Sequence, residues 1–262
     1  MDTPLAFAEA VAVEPAGTGR WRARIAPEWG LRGRPHGGYL MALAARAAMA
    51  ETGRAHPHAV TGSFVRIPAA GPVDLEVETV KSGRQLTQVR CSLRQDAAIV
   101  LDTLVVLGEP PTGEPAWHCV PDPLPAPYAD CVRVPPKPGR VGLLERLDIR
   151  YDPAASPLGP PSADAAVRAW VSFSDGSAPD ALATLLVADV LPASIQTLGF
   201  AGWAPTVQMS TYVRAVPAPG PLAVAVSGRL LTPPWFDEVA DVYDSTGRLV
   251  AQGRQLALVA GG

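Results

Sequence analysis

The chain is predicted to be an α+β protein made of two tandem copies of one unit, a helix followed by a meander of antiparallel strands. Three observations carry that expectation. The first copy reads HGGYLMALAARAAMAE, then SFVRIPAAGPVDLEVETV, then QLTQVRCSLRQDAAIVLDTLVVL; the second reads SAPDALATLLVADVL, then STYVRAVPAPGPLAVAVSGRLL, then DEVADVYDSTGRLVAQGRQLALV. Phe64-Val65-Arg66 recurs as Tyr212-Val213-Arg214 and Gly71-Pro72 recurs as Gly220-Pro221, so the register holds to within a residue. A helix of matching apolar spacing precedes both anchors and paired β-type runs follow both, which is how an internal repeat shows itself. With 262 residues the chain is long enough for two cores of roughly 120 residues each.

Along the first copy, Trp21, Ala23 and Ile25 alternate with Arg20, Arg22 and Arg24, which predicts a half-buried strand around Trp21 to Pro27. The segment 28–36 reads as a loop. Gly37-Gly38 opens a helix that runs to about Thr52 and ends at Gly53, a residue suited to a C-cap. Strands are expected near 58–67, 72–81, 84–95 and 98–107, with turns at Gly71-Pro72, Ser82-Gly83 and Gln95-Asp96. Between Gly108 and Arg140 the runs PP, PDPLPAP and PPKPGR remove amide donors and hold the chain extended. We therefore expect an N-terminal domain over 1–108, a proline-rich connector over 109–140 and a C-terminal domain over 141–262. The second copy is expected to open with strands near 143–151 and 164–173. Ser177 is a plausible N-cap with Pro179 and Asp180 in the first turn of a helix reaching about Val190. Strands near 205–215, 221–231, 236–244 and 248–259 follow, the last two joined by a turn at Asp244-Ser245-Thr246-Gly247.

Composition excludes several classes. A net charge of −3 gives no reason to expect nucleic acid or an anionic membrane as partner. The N-terminal run MDTPLAFAEAVAVEPAG has no basic segment and no sustained apolar stretch, so a cytoplasmic protein without membrane insertion is expected. Cys91, Cys119 and Cys131 are too few and too scattered for a disulfide framework, and no C-x-x-C is present. The G-x-S-x-G elbow, the phosphate loop and the H-E-x-x-H helix are all missing. His56-Pro57-His58 has no further ligand at metal spacing, and no cofactor is expected.

The two copies differ in one respect that bears on chemistry. Leu182, Leu185, Leu186 and Asp189 fall at i, i+3, i+4 and i+7, the stripe a helix turns to a core, whereas Leu40, Leu43, Ala44 and Ala47 carry no ionisable group. Asp189 either points inward, where a carboxylate is costly and has its pKa raised, or faces water at the last turn before Pro192. On the last strand Leu249, Ala251, Gly253, Gln255, Ala257 and Val259 share one face, with Gln255 the polar exception among small and apolar side chains. Thr206 opens the strand after the second helix, but its alternation sets it with Gln208 and Ser210, opposite Val207, Met209 and Val213. All four histidines, His36, His56, His58 and His118, lie in the first half or the connector, so any acid-base group in the second half must be a carboxylate. An Asp, a Thr and a Gln on one site could hold and deprotonate a water against a carbonyl. A thioester suits such chemistry because thiolate leaves readily. Gly37-Gly38 at a helix N-terminus offers backbone donors for an oxyanion and room for an acyl group.

These residues resemble a known family. HGGY at the start of an Ala/Leu-rich helix, F-V-R-x-P-x-x-G-P-V with its echo Y-V-R-A-V-P-x-x-G-P, and the terminal D-x-x-G-R-L-V-A-x-x-x-Q are similar to the thioesterase II, or TesB-like, acyl-CoA thioesterases. The resemblance covers nearly the whole chain outside the connector. It implies a double hotdog, in which each half is a long helix wrapped by an antiparallel sheet and the halves pack as a pseudo-dimer. It also implies an acyl-CoA substrate, hydrolysis without metal or cofactor, and a catalytic set that falls on Asp189 in LLVADVLP, Thr206 in APTVQMS and Gln255 in LVAQGRQLAL. His36, Gly37 and Gly38 fall on the substrate-binding turn. The family's Asp-His-Ser/Thr run after the Thr is replaced by Val207-Gln208-Met209-Ser210, and its Glu-Gly after the Gln by Leu256-Ala257. One site per chain is expected, together with a homo-oligomer, since sheet edges invite pairing. Two other readings remain beside it: an enoyl-thioester hydratase or dehydratase, which would need a histidine beside the carboxylate, and an acyl-thioester binding module without turnover.

Overall fold

The computed structural model describes residues 5–119, 124–135 and 142–259. Within them, antiparallel pairing links fourteen strands into one sheet. In the first half the spatial order is Arg20–Ile25, Gly71–Ser82, Thr87–Gln95, Ala98–Gly108, His56–Phe64. In the second half it is Ala166–Phe173, Leu222–Ser227, Trp235–Tyr243, Leu249–Leu258, Thr206–Val213. Numbered along each half, both orders are 1-3-4-5-2, so the repeat seen in the sequence is a repeat of topology. The strand that follows each helix ends its half's order, and these two pair with each other. Gln208 lies opposite Ser63 and Tyr212 opposite Ala59, and the Thr61 and Ser210 hydroxyls meet at 3.0 Å across the join. The result is a double hotdog whose two sheets are continuous.

The first helix, Gly37–Thr52, lies where the sequence places it, and Gly53 closes it in the left-handed conformation at φ 69°. From Tyr39 to Ala48 every residue but Arg46 is buried, because both the sheet and the second helix cover this helix. Trp21, Ala23 and Ile25 face inward between exposed arginines, as their alternation predicts. Large apolar side chains from both halves, among them Trp29, Tyr39, Leu101, Leu143 and Leu182, join one core.

The second helix is shorter than the sequence suggests. It spans Ala183–Val187 with Leu182 at the N-cap position, and Asp180 Oδ1, just ahead of it, accepts the Ala183 N–H at 2.8 Å. Ser177 instead bonds its hydroxyl to Asp175 at 2.6 Å. Asp180 stands three residues before that free N–H and within reach of it, whereas Ser177 lies a further turn out. At the other end Asp189 N–H bonds the Leu186 carbonyl at 3.1 Å, three residues back, so the last turn tightens.

Two further segments differ from expectation. The segment read as a loop, 28–36, contains a 3-10 turn over Pro27–Trp29 and a small hairpin pairing Gly30–Leu31 with Arg34–Pro35. Trp29 is fully buried and pins this hairpin against Phe7 and Phe173. In the connector, Val132–Arg133 adds a strand to Leu147–Tyr151. The Trp170 indole donates to the Ala126 carbonyl at 2.8 Å, so this part of the connector is bound to the second half. Residues 143–146, expected in a strand, form a helical turn before Leu147–Tyr151.

Candidate active site

The site begins where the two helices meet. The second helix and the turn after it press on the N-terminus of the first so closely that a Cβ at Gly38 would fall on the Leu185 carbonyl, 2.8 Å from Leu186 Cα and 3.1 Å from Asp189 Cβ. Only glycine fits. The contact carries Asp189 to the end of the first helix, where its Oδ2 accepts the Gly38 N–H at 2.8 Å. A carboxylate at a helix N-terminus meets unpaired N–H groups and the positive end of the dipole. A Cβ at Gly37 would stand 2.8 Å from the same Oδ2 and 3.2 Å from the Phe64 ring.

The inward reading of Asp189 is therefore the one realised, since its side chain is 10 % exposed. Burial raises its pKa against the lowering effects of His36 and the Gly38 N–H. His36 Nε2 sits 3.1 Å from the Asp189 carbonyl oxygen and 3.6 Å from Oδ2. A carbonyl only accepts, so that contact assigns the proton to Nε2. His36 Nδ1 is buried without a partner among the described residues. The three residues His36, Gly37 and Gly38 of the first half thus surround the acid of the second.

Thr206 and Gln255 form a second cluster. The Thr206 hydroxyl donates to Gln255 Oε1 at 2.5 Å. A β-bulge makes this possible: the register slips between Thr206 and Gln208, so that Thr206 pairs with Ala257 and Gln208 with Leu256. Ala257 is buried, and Thr206 takes its face of the sheet. Gln255 lies on the inner face, as the parity of the last strand predicts. Gly253 shares that face, and a Cβ on it would be 3.4 Å from the Ala188 side chain, which brings the residue before Asp189 onto the same stretch of strand.

Glu238 belongs to this cluster and escaped the sequence reading. It pairs with Gln255 across the sheet and accepts the Gln255 amide N–H at 2.7 Å on Oε1 and the Ser194 N–H at 2.6 Å on Oε2. A signal was present: Phe236, Ala240 and Val242 share its parity and are buried, as Glu238 itself is. Burial pushes its carboxyl up to about 7; the Ser194 N–H, the Ser194 hydroxyl and the Gln255 amide work against this, and the Asp189 charge adds to it. Because the folded-state value lies above the ordinary 4.5, the folded form holds the proton longer than the unfolded one. Its contribution is fully present below about 4.5 and is lost as the pH rises towards about 7. The thermal stability of wild type should therefore fall from pH 5 to pH 8 relative to Glu238→Gln, by about 3 kcal/mol; parallel curves would show that Glu238 does not titrate in this window.

Among the described residues no group of three or more His, Cys, Asp or Glu side chains is placed to hold a metal ion, and no helix is long and apolar enough to cross a membrane. Buried Cys91 has its thiol pushed up to about 12 by burial, which makes it inert.

This fold, two tandem halves joined through one continuous sheet, is that of the hotdog-fold thioesterase family. The chain matches the acyl-CoA thioesterase N-terminal domain over residues 25–108 and the acyl-CoA thioesterase C-terminal domain over residues 122–259, and belongs to that family. It is 33 % identical over 261 residues to uncharacterised proteins of Mycobacterium tuberculosis and Mycobacterium bovis, covering 88 % of each chain. A candidate thioesterase II from Thermobifida fusca superposes with a TM-score of 0.91 at 34 % identity, over 99 % of both chains. A tesB protein from Mycobacterium avium subsp. paratuberculosis shares the fold at TM-score 0.79 and 19 % identity, over 97 % of this chain and 98 % of that one.

Proposed function

We propose that the protein hydrolyses an acyl-CoA to free acid and CoA, with Asp189 as the base and Thr206 and Gln255 as the groups that hold the attacking water. The observation that carries this reading is Asp189 itself: a carboxylate kept in a nearly dry junction, fixed through Oδ2, with Oδ1 left to take a proton. A water between Asp189 and the Thr206–Gln255 pair gives one hydrogen to Asp189 and turns a lone pair to the thioester carbon. The new C–O bond forms as that proton passes to Asp189. The tetrahedral oxyanion then collapses, the C–S bond breaks, and Asp189 returns the proton to the departing thiolate. Since the Gly38 N–H is already given to Asp189, the oxyanion donor assigned to the Gly37-Gly38 turn is the Gly37 N–H, which as the first helical residue has no intrahelical acceptor.

One finding speaks for hydratase chemistry. The second half lacks histidine, but the first supplies His36 beside Asp189, so that reading cannot be set aside for want of an imidazole. His36 is engaged elsewhere: Nε2 serves the Asp189 carbonyl and Nδ1 is buried, which favours a tether over a proton carrier. Thiol release from short, medium and long acyl-CoAs, run beside hydration of an enoyl-CoA, decides between the two. Thiol release alone supports hydrolysis, hydration alone replaces it, and neither reaction leaves a binding role. The pH profile is a second check. Burial raises the Asp189 pKa, so activity should fall as pH drops towards that raised value and the base takes up a proton; a rate that stays flat well into the acid range would remove Asp189 from the base role.

A further inference from the structure

We propose that Glu238 is a positioning residue for Gln255: its carboxylate fixes the amide with Nε2 towards Glu238 and Oε1 towards Thr206, which sets what the pair presents to the attacking water. The inference rests on the hydrolytic reading above and extends it to a residue outside the catalytic set.

The argument is a count of donors. Two N–H groups converge on Glu238, the Gln255 amide on Oε1 at 2.7 Å and the Ser194 backbone on Oε2 at 2.6 Å. An ionised carboxylate only accepts, so it satisfies both. Gln255 must then turn Oε1 the other way, where it accepts the Thr206 hydroxyl at 2.5 Å. Thr206 has one proton and has spent it, so its oxygen faces outward as an acceptor. Gln255 keeps one N–H. A water that donates to Asp189 and to Thr206, and accepts from Gln255, has a single lone pair left, and that lone pair is free for the carbonyl carbon.

Reversing the amide spoils this set. With Oε1 towards Glu238, the amide N–H groups face Thr206, the Thr206 proton is released, and the water meets two donors where it needs one donor and one acceptor. Glu238→Gln forces the reversal, because a carboxamide has one accepting end and the Ser194 backbone N–H cannot turn away from it. Protonation of the Glu238 oxygen facing Gln255 acts in the same sense. Asp189 is the titratable group that bears on Glu238 from the turn after the second helix; the last strand and the turn at Ser194 present it with the neutral Gln255 and Ser194.

The test uses wild type, Glu238→Gln and Glu238→Asp, with acyl-CoA turnover and the side-chain amide resonances of Gln255 recorded from pH 5 to pH 9. Glu238→Gln should lower kcat about 10- to 100-fold with KM within about twofold. It should lose the near-neutral limb of the pH profile and keep the limb due to Asp189. Glu238→Asp, which retains the charge, should recover part of kcat. In wild type the Gln255 amide should shift with the Glu238 titration, and in Glu238→Gln it should sit at the shifted position throughout. A Glu238→Gln enzyme with unchanged kcat and profile overturns the proposal. So does a Gln255 amide that does not respond to pH or to the substitution. If wild type turns over no acyl-CoA, the hydrolytic reading falls by itself, and the amide resonance still decides whether Glu238 orients Gln255. Should Glu238→Gln unfold, Glu238→Asp and the wild-type amide titration carry the same decision.

Discussion

Asp189→Asn should reduce thiol release from acyl-CoA by about 10²- to 10⁴-fold, the range a positioned general base supplies, while leaving the fold intact. Asparagine keeps an oxygen to accept the Gly38 N–H now bonded to Asp189 Oδ2 at 2.8 Å, so the helix junction retains its hydrogen bond. It also removes an ion from a site that is only 10 % exposed, which relieves a desolvation cost. The variant should accordingly melt no lower than wild type at pH 8. That combination, activity lost with stability kept or raised, distinguishes a functional acid from a structural one. Release within a few-fold of wild type would mean that the carboxylate serves only as a cap on the first helix.

Gly38→Ala is expected to have the largest effect on stability. The added methyl meets the Leu185 carbonyl and Leu186 Cα, both backbone, and no rotamer change relieves a clash with backbone. The helices must move apart in a core whose members around the junction are 0–3 % exposed, which costs about 3 kcal/mol and lowers the melting midpoint by roughly 6–10 °C. Gly37→Ala provides the contrast. Its methyl meets the Asp189 carboxylate and the edge of the Phe64 ring, both side chains, so they yield and the fold survives, while the displaced carboxylate loses activity. Equal melting curves for Gly38→Ala and wild type would show that the two helices do not cross at this glycine.

The parts of the site that depend on simple periodicity were legible in the sequence. Asp189 continues the apolar stripe of the second helix into the tightened turn beyond its end, and Gln255 lies on a strand of clean alternation; both point inward, where those periods put them. Thr206 could not be placed in that way. Its facing is reversed by a bulge between Thr206 and Gln208, and one extra residue in a strand leaves no mark on the pattern of side-chain types. The second helix is shorter than its apolar stripe suggests because it is trimmed at both ends: it starts at Ala183, whose N–H goes to Asp180, and after Val187 the chain tightens into a three-residue turn at Asp189. Glu238 shows a different failure. Its parity is plain, but a single acid among apolar neighbours on an inner strand carries no motif that marks it. The meeting of His36 with Asp189 needs the two halves docked, and no pattern within either half encodes it.

The continuous sheet has a consequence for how such a chain can change over time. The pairing of 59–63 with 208–212 joins the halves as two subunits of a symmetric dimer would be joined. In a dimer of identical chains every substitution appears at both sites at once, so the glycines that admit an acid and the acid itself would have to coexist in each copy. Covalent linkage lifts that requirement. Here the first half brings His36, Gly37 and Gly38 to the junction, and the second brings Asp189, with Thr206, Gln255 and Glu238 bonded together on its own sheet. On the proposed reading, the matching stripe of the first helix, where Ala47 is buried without an ionisable group, is free to serve packing alone.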